Sequence, residues 1–377
     1  MDENDILIDM GIPTTTPSII KVIGVGGGGG NAVNHMYREG IHDVNFVVCN
    51  TDSKALADSP VPVRLQLGKE GLGAGNRPGR AREAAEESLD SIHNMLNDGT
   101  KMVFITAGMG GGTGTGAAPV VAECAREIGA LTVGVVTRPF SFEGMKCRRN
   151  AELGIENLKK HVDTIITIPN DRLMQVVDKK TPITQAFSIA DDVLRQGVKG
   201  ISDLIALPGL INLDFADVKS IMSNAGSALM GIGEASGENA AVEAAKAAIA
   251  SPLLETSIDG ARGVLLNVTG AEENLSMFEV TEASEAIEKA ADSQANIIWG
   301  ASIDDSMGDT VRVTVIATGF DAPEETVGIP DTKEQQVQSQ AQPQQAPAQN
   351  TQAPDPSIGS TVGTDSFIDI PVWMRKK

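Results

Sequence analysis

The sequence predicts an α/β protein, in which a parallel sheet is joined by a long central helix to a smaller α+β domain that carries a disordered C-terminal tail. Apolar, β-branched runs alternate with helix-like stretches in the first half, as is typical of strands buried on both faces of a parallel sheet. A helical pattern with apolar residues three and four apart follows. After it the chain becomes Ala-rich, and finally rich in Gln, Pro, Ser and Thr.

The composition sets the size of the protein and excludes one class of partner. With 377 residues, 41% of them hydrophobic, the chain is long enough for two domains with sizeable cores. Its 30 basic residues face 50 acidic ones, a net charge of −20, and such a field repels phosphate backbones. We therefore expect no nucleic-acid binding, whereas a single nucleotide can still be held by backbone N–H groups.

The cysteines and the apolar segments indicate the compartment. Cys49, Cys124 and Cys147 are far apart and form no CxxC pair, so neither a disulfide framework nor a zinc cluster is predicted. The acidic N-terminus does not resemble a signal peptide, and no stretch approaches the roughly 20 apolar residues of a membrane span. These features predict a cytoplasmic protein without direct membrane insertion.

The first domain is predicted to span residues 18–180, after a flexible N-terminal arm of residues 1–17. Its strands are predicted at Ser18–Gly26, Val44–Asn50, Met102–Ala107, Leu131–Thr137 and Thr164–Pro169. Helical patterns lie between them, for example at Arg82–Asn97 and Ala117–Ile128.

The central helix is predicted over residues 181–206, where Leu207-Pro208-Gly209 ends it. The second domain, residues 207–320, is predicted to hold helices at Ala240–Ala250 and Glu279–Ala291 and strands at Gly263–Val268, Ile297–Ser302 and Thr310–Thr318. Residues 321–364 lack large apolar side chains, which predicts a disordered linker. Residues 365–377 regain Phe367 and Trp373, so we expect a peptide that docks on a partner.

Two glycine-rich loops follow predicted strands and open predicted helices. The first, Gly24–Asn31, satisfies the dinucleotide fingerprint GxGxxG, with Asp52 after the next strand in place for a ribose. The second, Gly108–Gly116, adds the hydroxyls of Thr113 and Thr115. Two such loops at one sheet edge can enclose a chain of phosphates, which favours a nucleoside polyphosphate. Gly68-Lys69 is followed by Glu70, so it is not a P-loop.

The motif GGGTGTG at Gly110–Gly116 is the tubulin-superfamily signature, and the chain from Ile19 to Phe320 resembles the tubulin/FtsZ GTPase family. The terminal DIPVWMRKK extends the resemblance to the cell-division members of that family. Further motifs that carry it are Asn50-Thr51-Asp52, Arg138-Pro139-Phe140, Phe142-Glu143-Gly144, Pro169-Asn170-Asp171 and Gly209–Asp217. The resemblance implies a tubulin-like fold and a GTPase that takes GTP/GDP with Mg²⁺.

The resemblance also assigns residues to the nucleotide. Gly27–Asn31 and Gly112–Gly114 would hold the phosphates, Glu143 the ribose, and Asn170 the ribose or base. On the central helix Phe187 would stack on the purine, and Asp191 would accept from guanine's N1–H and exocyclic amine, which adenine does not present in that form. The full predicted set is Gly26, Gly27, Gly28, Gly29, Gly30, Asn31, Gly110, Gly111, Gly112, Thr113, Gly114, Thr115, Gly116, Glu143, Cys147, Arg148, Asn170, Phe187 and Asp191.

The catalytic residues are implied to act across a subunit contact. In the family, the loop holding Asn212, Asp214 and Asp217 enters the nucleotide pocket of the next subunit, where the two aspartates position water. The resemblance thus implies head-to-tail filaments, assembled into a division ring at midcell. Membrane-anchoring and regulatory division proteins would bind residues 365–377. A helix cap with an acidic first turn is the structural alternative for Asp214 and Asp217.

The sequence departs from the family pattern at two places, and it leaves two alternative functions open. Cys147 stands where the family usually has Arg, so that Arg148 or water would take its role, and Asn76–Gly79 differs from the usual loop beside the phosphates. A NAD-dependent oxidoreductase would use only the first glycine loop. A non-polymerising nucleotide-binding scaffold would not need the acidic loop residues, which are all present here.

Overall fold

The computed structural model describes residues 19–41, 43–175, 180–206, 214–254 and 256–320. The predicted arm 1–17, linker 321–364 and peptide 365–377 lie outside the described residues, as does Asn212. The described residues fall in one compact unit, Met1–Glu325. Among them, no helix combines the length and the apolar character that crossing a membrane requires.

A ten-stranded sheet forms the framework, in the order β3-β2-β1-β4-β5-β6-β7-β10-β8-β9. The strands are β1 Ile20–Val25, β2 Val44–Asn50, β3 Val63–Gln66, β4 Met102–Gly108, β5 Leu131–Arg138, β6 Thr164–Pro169, β7 Gly226–Ser236, β8 Gly263–Gly270, β9 Asn296–Ile303 and β10 Thr310–Thr318. All pairs from β3 through β7 are parallel, as is β8 with β9, whereas β10 is antiparallel to β7 and β8. The predicted α/β class is confirmed.

Eleven helices are described: α1 Gly26–Arg38, α2 Ser53–Ala57, α3 Pro78–Glu86, α4 Leu89–Leu96, α5 Thr113–Glu127, α6 Met145–Lys159, α7 Asn170–Leu173, α8 Ile183–Ala206, α9 Phe215–Met222, α10 Ala240–Ile249 and α11 Met277–Glu288. Short 3-10 turns lie at Ser141–Glu143, Glu272–Asn274 and Asp305–Met307. The central helix of the sequence prediction is α8.

Cores on both faces of the sheet explain the continuous apolar runs. Val22 of β1 packs in a cluster with α1 and α8, whereas its neighbour Ile23 packs with α4, α5 and α6 on the opposite face. Successive strand residues point to opposite faces, so a strand covered on both sides has no polar alternation. A third cluster joins the alanines of α10 to α11, β8 and β10.

Three elements differ from the sequence prediction. The helix predicted over Arg82–Asn97 is broken into α3 and α4 at Glu87–Ser88, where the Ser88 hydroxyl donates to the Ala84 carbonyl and accepts from the Gly68 N–H. The strands β3 and β7 had not been predicted. β7 extends the parallel part of the sheet by pairing with β6, with Thr164 opposite Gly226.

Candidate functional site

The first glycine loop is the junction of β1 and α1. Gly26 begins the helix at φ 76°, a conformation that favours glycine. A Cβ there would lie 2.7 Å from the Gly114 nitrogen, and one on Gly29 would lie 2.1 Å from the Thr106 carbonyl oxygen. A Cβ on Gly27, in contrast, meets no atom within 4 Å. The loop is therefore packed tightly against β4 and α5 and open at Gly27.

The second glycine loop is the junction of β4 and α5. Gly110 has φ 108°, and its N–H donates to Thr115 Oγ1 at 2.9 Å. The Thr113 hydroxyl lies 2.7 Å from that of Thr51 at the end of β2. Thr115 is buried, so its hydroxyl shapes the loop from inside. Gly111 has open space where a Cβ would stand.

The two loops form one cradle because β1 and β4 are neighbours in the sheet. A Cβ on Gly28 would lie 3.2 Å from Gly108, so the loops approach with backbone against backbone. Both α1 and α5 begin at this edge, and free N–H groups at helix N-termini favour an anion. The cradle therefore fits a chain of phosphates, with open space above Gly27 and Gly111.

The loop Asn76–Gly79, which follows β3, borders this cradle. A Cβ on Gly112 would lie 3.2 Å from the Asn76 nitrogen and 3.1 Å from the Arg77 nitrogen, while one on Gly116 would meet the Pro78 carbonyl oxygen at 2.0 Å. The backbone of Asn76–Pro78 thus packs directly against the second glycine loop.

Glu143 and Cys147 lie side by side at the start of α6. Glu143 Oε1 accepts from the Phe140 N–H at 2.9 Å, and the Cys147 thiol donates to Oε2 at 3.6 Å. A Cβ on Gly110 would lie 2.6 Å from Cys147 Sγ, so the thiol also touches the second glycine loop. Burial, and then the charge of Glu143, raise the pKa of Cys147. A neutral donor thus lies between Glu143 and the second glycine loop.

Arg148 is engaged elsewhere. Its guanidinium donates to the Ser141 hydroxyl at 2.8 Å and lies 3.6 Å from the Asp171 carboxylate. The Ser141 N–H donates to the same carboxylate at 2.8 Å. Arg148 therefore fixes the turn Ser141–Glu143 to the start of α7, and supports Glu143 from behind.

Asn170 follows β6 and begins α7. It is buried, and its Oδ1 atom has no hydrogen-bond partner among the described residues. A buried acceptor without a donor is unfavourable, so such an atom at a strand end is a candidate contact for a ligand hydroxyl or amine.

Three aromatic rings of the site lie in contact with one another, and one of them, Phe187, belongs to α8. Phe187 makes edge-on contacts with Phe140 and Phe142, with ring centroids 5.3 Å and 6.4 Å apart, while Phe140 and Phe142 stack at 5.0 Å. Phe187 remains 42% exposed and Phe142 59% exposed. This leaves aromatic surface on which a planar base can stack.

Asp191 lies one turn beyond Phe187 and borders a cavity of ≈ 230 Å³ between α1 and α8. The cavity is lined by Asn31, Asn34, His35, Arg38, Ser188 and Asp191. Burial raises the pKa of Asp191 to about 7. The cavity extends from Asn31, at the end of the first glycine loop, to the carboxylate of Asp191. It therefore connects the phosphate cradle to a candidate contact for the base.

Asp214 and Asp217 lie on a different part of the fold. Asp214 caps α9, where its Oδ1 accepts from the Asp217 N–H at 3.0 Å. The other end of α9 is held at the start of β6, since Thr164 donates to the Met222 carbonyl. No hydrogen bond or ion pair between described residues connects these aspartates to the glycine loops. Asn212 lies in 207–213, outside the description.

Several residues of the site were missed in the sequence. Thr51 and Phe142 belong to motifs that carry the resemblance but had no assigned role, and they join the site only through the sheet and the loop packing. The backbone of Asn76–Arg77 borders the cradle, as expected for a loop beside the phosphates. The cavity residues Asn34, His35 and Arg38 carry a detectable signal. With Asn31 they follow a spacing of three, four and seven residues, which places them on one helix face.

Comparisons with known proteins assign the family. Residues 19–178 match the Tubulin/FtsZ family, GTPase domain, and residues 226–321 match the FtsZ family, C-terminal domain. An empty FtsZ dimer from M. jannaschii is 44% identical, with 85% of this chain and 93% of that chain covered at a TM-score of 0.79. The chain belongs to the FtsZ family. A mutant FtsZ from M. jannaschii is 45% identical, with coverages of 84% and 95% and a TM-score of 0.77.

A more distant structure shares only the fold. CetZ2 from Haloferax volcanii, a GTPγS-bound protofilament, is 18% identical, with coverages of 81% and 94% and a TM-score of 0.69. The predicted tubulin-like architecture is confirmed by these structures together. An FtsZ-family GTPase domain implies a guanine-nucleotide site.

The dinucleotide interpretation is not favoured within this family. Its ribose ligand would be Asp52, but Asp52 caps α2, where its carboxylate accepts from the Lys54 N–H at 2.9 Å. The second glycine loop would also have no role in a dehydrogenase.

Proposed function

We propose that this FtsZ-family chain binds GTP, hydrolyses it at the contact between two copies, and assembles head to tail into filaments of the division ring. The observation that carries the proposal is the separation of the cradle from Asp214 and Asp217. The cradle lies where β1 and β4 end, whereas α9 is anchored at the opposite edge, where β6 begins. A second copy can bring these carboxylates to the phosphates, and the FtsZ of M. jannaschii is a dimer.

The roles of the residues follow from their chemistry. The N–H groups around Gly27 and Gly111 bind the phosphates, Glu143 and Asn170 take the ribose or base, and Asp191 accepts from guanine. Mg²⁺ would enter with the nucleotide on its phosphate oxygens and neutralise their charge.

Hydrolysis requires a water oriented towards the γ-phosphate. Asp214 and Asp217 of the incoming copy position this water and polarise its O–H bonds, with Asn212 at the γ-phosphate end. The water oxygen bonds to phosphorus and the bond to the β–γ bridging oxygen breaks, with its electron pair leaving on GDP. One proton of the water stays on the released phosphate and the other is lost to solvent. A head-to-tail contact of this kind propagates unless the rotation closes it.

The split site can be tested by mixing two inactive variants. Asp214→Asn keeps the cap on α9 and removes the charge. Gly111→Asp places a carboxylate into open space, where it repels phosphate. Random co-assembly joins an intact cradle to an intact Asp214 in about one quarter of the contacts, so we expect about one quarter of the wild-type turnover.

The measurement is phosphate release with GTP and Mg²⁺ across a concentration series, with scattering in parallel and ATP and NAD as controls. Turnover per molecule should be near zero below a threshold and rise together with scattering. Each variant alone should stay inactive, while Asp214→Asn keeps its GTP affinity. If the mixture stays inactive although both variants co-assemble, or if turnover is independent of concentration, the split site is wrong.

The proposal extends to the C-terminal peptide and the location of the filaments. Residues 365–377 would bind membrane-anchoring and regulatory division proteins, which would bring the filaments to midcell. Deletion of these residues should leave turnover and scattering unchanged, abolish binding to such partners, and disperse a fluorescent fusion from midcell. Partner binding that survives the deletion would contradict this part.

A further inference from the structure

A thiol, an imidazole and a carboxylate meet on the face of the sheet that α4 and α5 cover. His93 lies on α4, whereas Cys124 and Glu127 lie three residues apart on α5. Their ligand atoms all lie within 4.8 Å of one another. His93 Nε2 is 3.2 Å from Glu127 Oε2. None of the three belongs to the glycine loops, and none is used in the proposed hydrolysis.

Packing of the two helices holds this cluster together. Ile92 and Leu96 flank His93 on α4, and they share a buried core with Val121 and Cys124 of α5. The backbones that carry His93 and Cys124 are therefore fixed relative to each other. Glu127 adds an adjustable arm, because its side chain is 59% exposed.

The donor set matches a borderline-soft divalent metal. Thiolate, imidazole and carboxylate are the three ligand types of Zn²⁺, and its bonds of about 2.0–2.3 Å place tetrahedral ligand atoms roughly 3.3–3.8 Å apart. Since the ligand atoms already lie within 4.8 Å of one another, only small side-chain rotations are needed to reach this spacing. Three protein ligands leave the fourth position to water, whereas Mg²⁺ and Ca²⁺ prefer oxygen ligands alone.

The local charge also favours a cation. The carboxylates of Glu127 and Glu123 lie beside Cys124, and their negative potential attracts a divalent ion. Glu123 itself points to a different histidine, His161, at 3.9 Å.

We propose that His93, Cys124 and Glu127 bind one Zn²⁺-type ion, which clamps α4 to the C-terminal end of α5. The first residue of α5, Thr113, belongs to the phosphate cradle, so the metal lies about 16 Å from it along the helix. The site is thus separate from any Mg²⁺ that enters with GTP. It does not depend on the proposed hydrolysis.

The test uses the full chain and Co²⁺ as a spectroscopic probe, at a fixed saturating GDP concentration. We expect one thiolate-bound Co²⁺ per chain besides any ion on the GDP phosphates, identified by the near-ultraviolet charge-transfer band of a cobalt–thiolate bond and displaced by Zn²⁺. Cys124→Ser should abolish the band, while His93→Gln and Glu127→Gln should weaken the affinity at least about tenfold, since even outer-shell changes have such effects.

A matched control and a measurement on the unaltered protein complete the test. His161→Gln removes the neighbouring pair of His161, which follows α6, with Glu123 of α5, and it should leave the affinity unchanged. X-ray absorption of the Zn²⁺-loaded wild-type chain should show one sulfur at about 2.3 Å and N/O ligands at about 2.0 Å. A Zn²⁺ coordination shell without sulfur, or the absence of a cobalt–thiolate band, would overturn the proposal. So would an equal loss of Co²⁺ affinity in His161→Gln.

Discussion

With Asp191 as the proposed guanine acceptor, nucleotide affinity should depend on pH. Burial raises the pKa of this carboxyl to about 7, and guanine's N1–H and exocyclic amine both donate, so they select the ionised form. Binding therefore lowers the pKa and releases a proton. The affinity for GDP should rise as the pH rises through about 7 and level off above it.

The size of the effect follows from the pKa. With a value of about 7 in the free protein, roughly one molecule in eleven is ionised at about pH 6 and ten in eleven at about pH 8, so the affinity changes about tenfold. His35 and Arg38 line the same cavity, and His35 lies 3.8 Å from Asp192. His35→Gln must therefore be measured beside the wild type.

The assay is GDP binding by calorimetry at several pH values, in buffers of different ionisation enthalpy that report proton release. Asp191→Asn should bind GDP more weakly and with no step near pH 7. Its amide can donate, so it should prefer xanthosine diphosphate, whose C2 carbonyl accepts. His35→Gln should keep the step.

A measurement of protein stability tests the direction of the Asp191 pKa shift independently of nucleotide binding. Because the folded-state pKa is raised above its unfolded value near 3.8, the contribution of this group to stability is fully present below that pH and is lost progressively as the pH rises to about 7. The nucleotide-free Asp191→Asn variant should therefore gain in melting temperature over the wild type as the pH rises, with a clearly larger gain at pH 8 than at pH 5. A pH-independent wild-type affinity, or a step that disappears in His35→Gln, would refute the reasoning.

The other predictions concern packing. Gly29→Ala, whose Cβ would lie 2.1 Å from the Thr106 oxygen, should lose about 1–3 kcal/mol of unfolding free energy. Gly27→Ala, which meets no atom within 4 Å, should keep its melting temperature and weaken only GDP binding; equal destabilisation would contradict the packing argument. Lys21→Met removes the hydrogen bonds that the buried Lys21 ammonium donates to Asp98 at 2.7 Å and to the Met95 carbonyl. Since Asp98 is 51% exposed and rehydrates, denaturant unfolding should show a loss of about 1–2 kcal/mol, and an unchanged midpoint would show that the pair is not stabilising.

Elements with strong apolar patterns were predictable from the sequence, and those without were not. All six residues of β1 are buried, and its hydrophobic run is unmistakable. β3 is a short, largely exposed edge strand, so VRLQ carries little signal. In β7, glycines at Gly231 and Gly233 stand where the carbonyls of Ala248 and Ala244 approach within 2.3 Å of a Cβ position. The close packing of α10 on β7 leaves room only for glycine at these two positions, so β7 carries glycine there instead of the β-branched residues that usually indicate a strand.

The site was predictable as far as local motifs reach. Both glycine loops lie at strand–helix junctions as the sequence indicated. The partners of Arg148 and the thiol–carboxylate pair of Cys147 depend on how the turn Ser141–Glu143 folds against α7, which spacing does not reveal. The same holds for His93 and Cys124, which are 31 residues apart and meet only through helix packing.

The place of β10 in the sheet has a consequence for how the chain folds. It is the last of the ten strands along the chain, yet it lies between β7 and β8. Until Thr310–Thr318 has been synthesised, β7 and β8 each keep an unpaired edge next to apolar surface. Nascent chains that stop short of Thr310 should therefore need chaperone protection, and the sheet becomes continuous only when this strand is inserted.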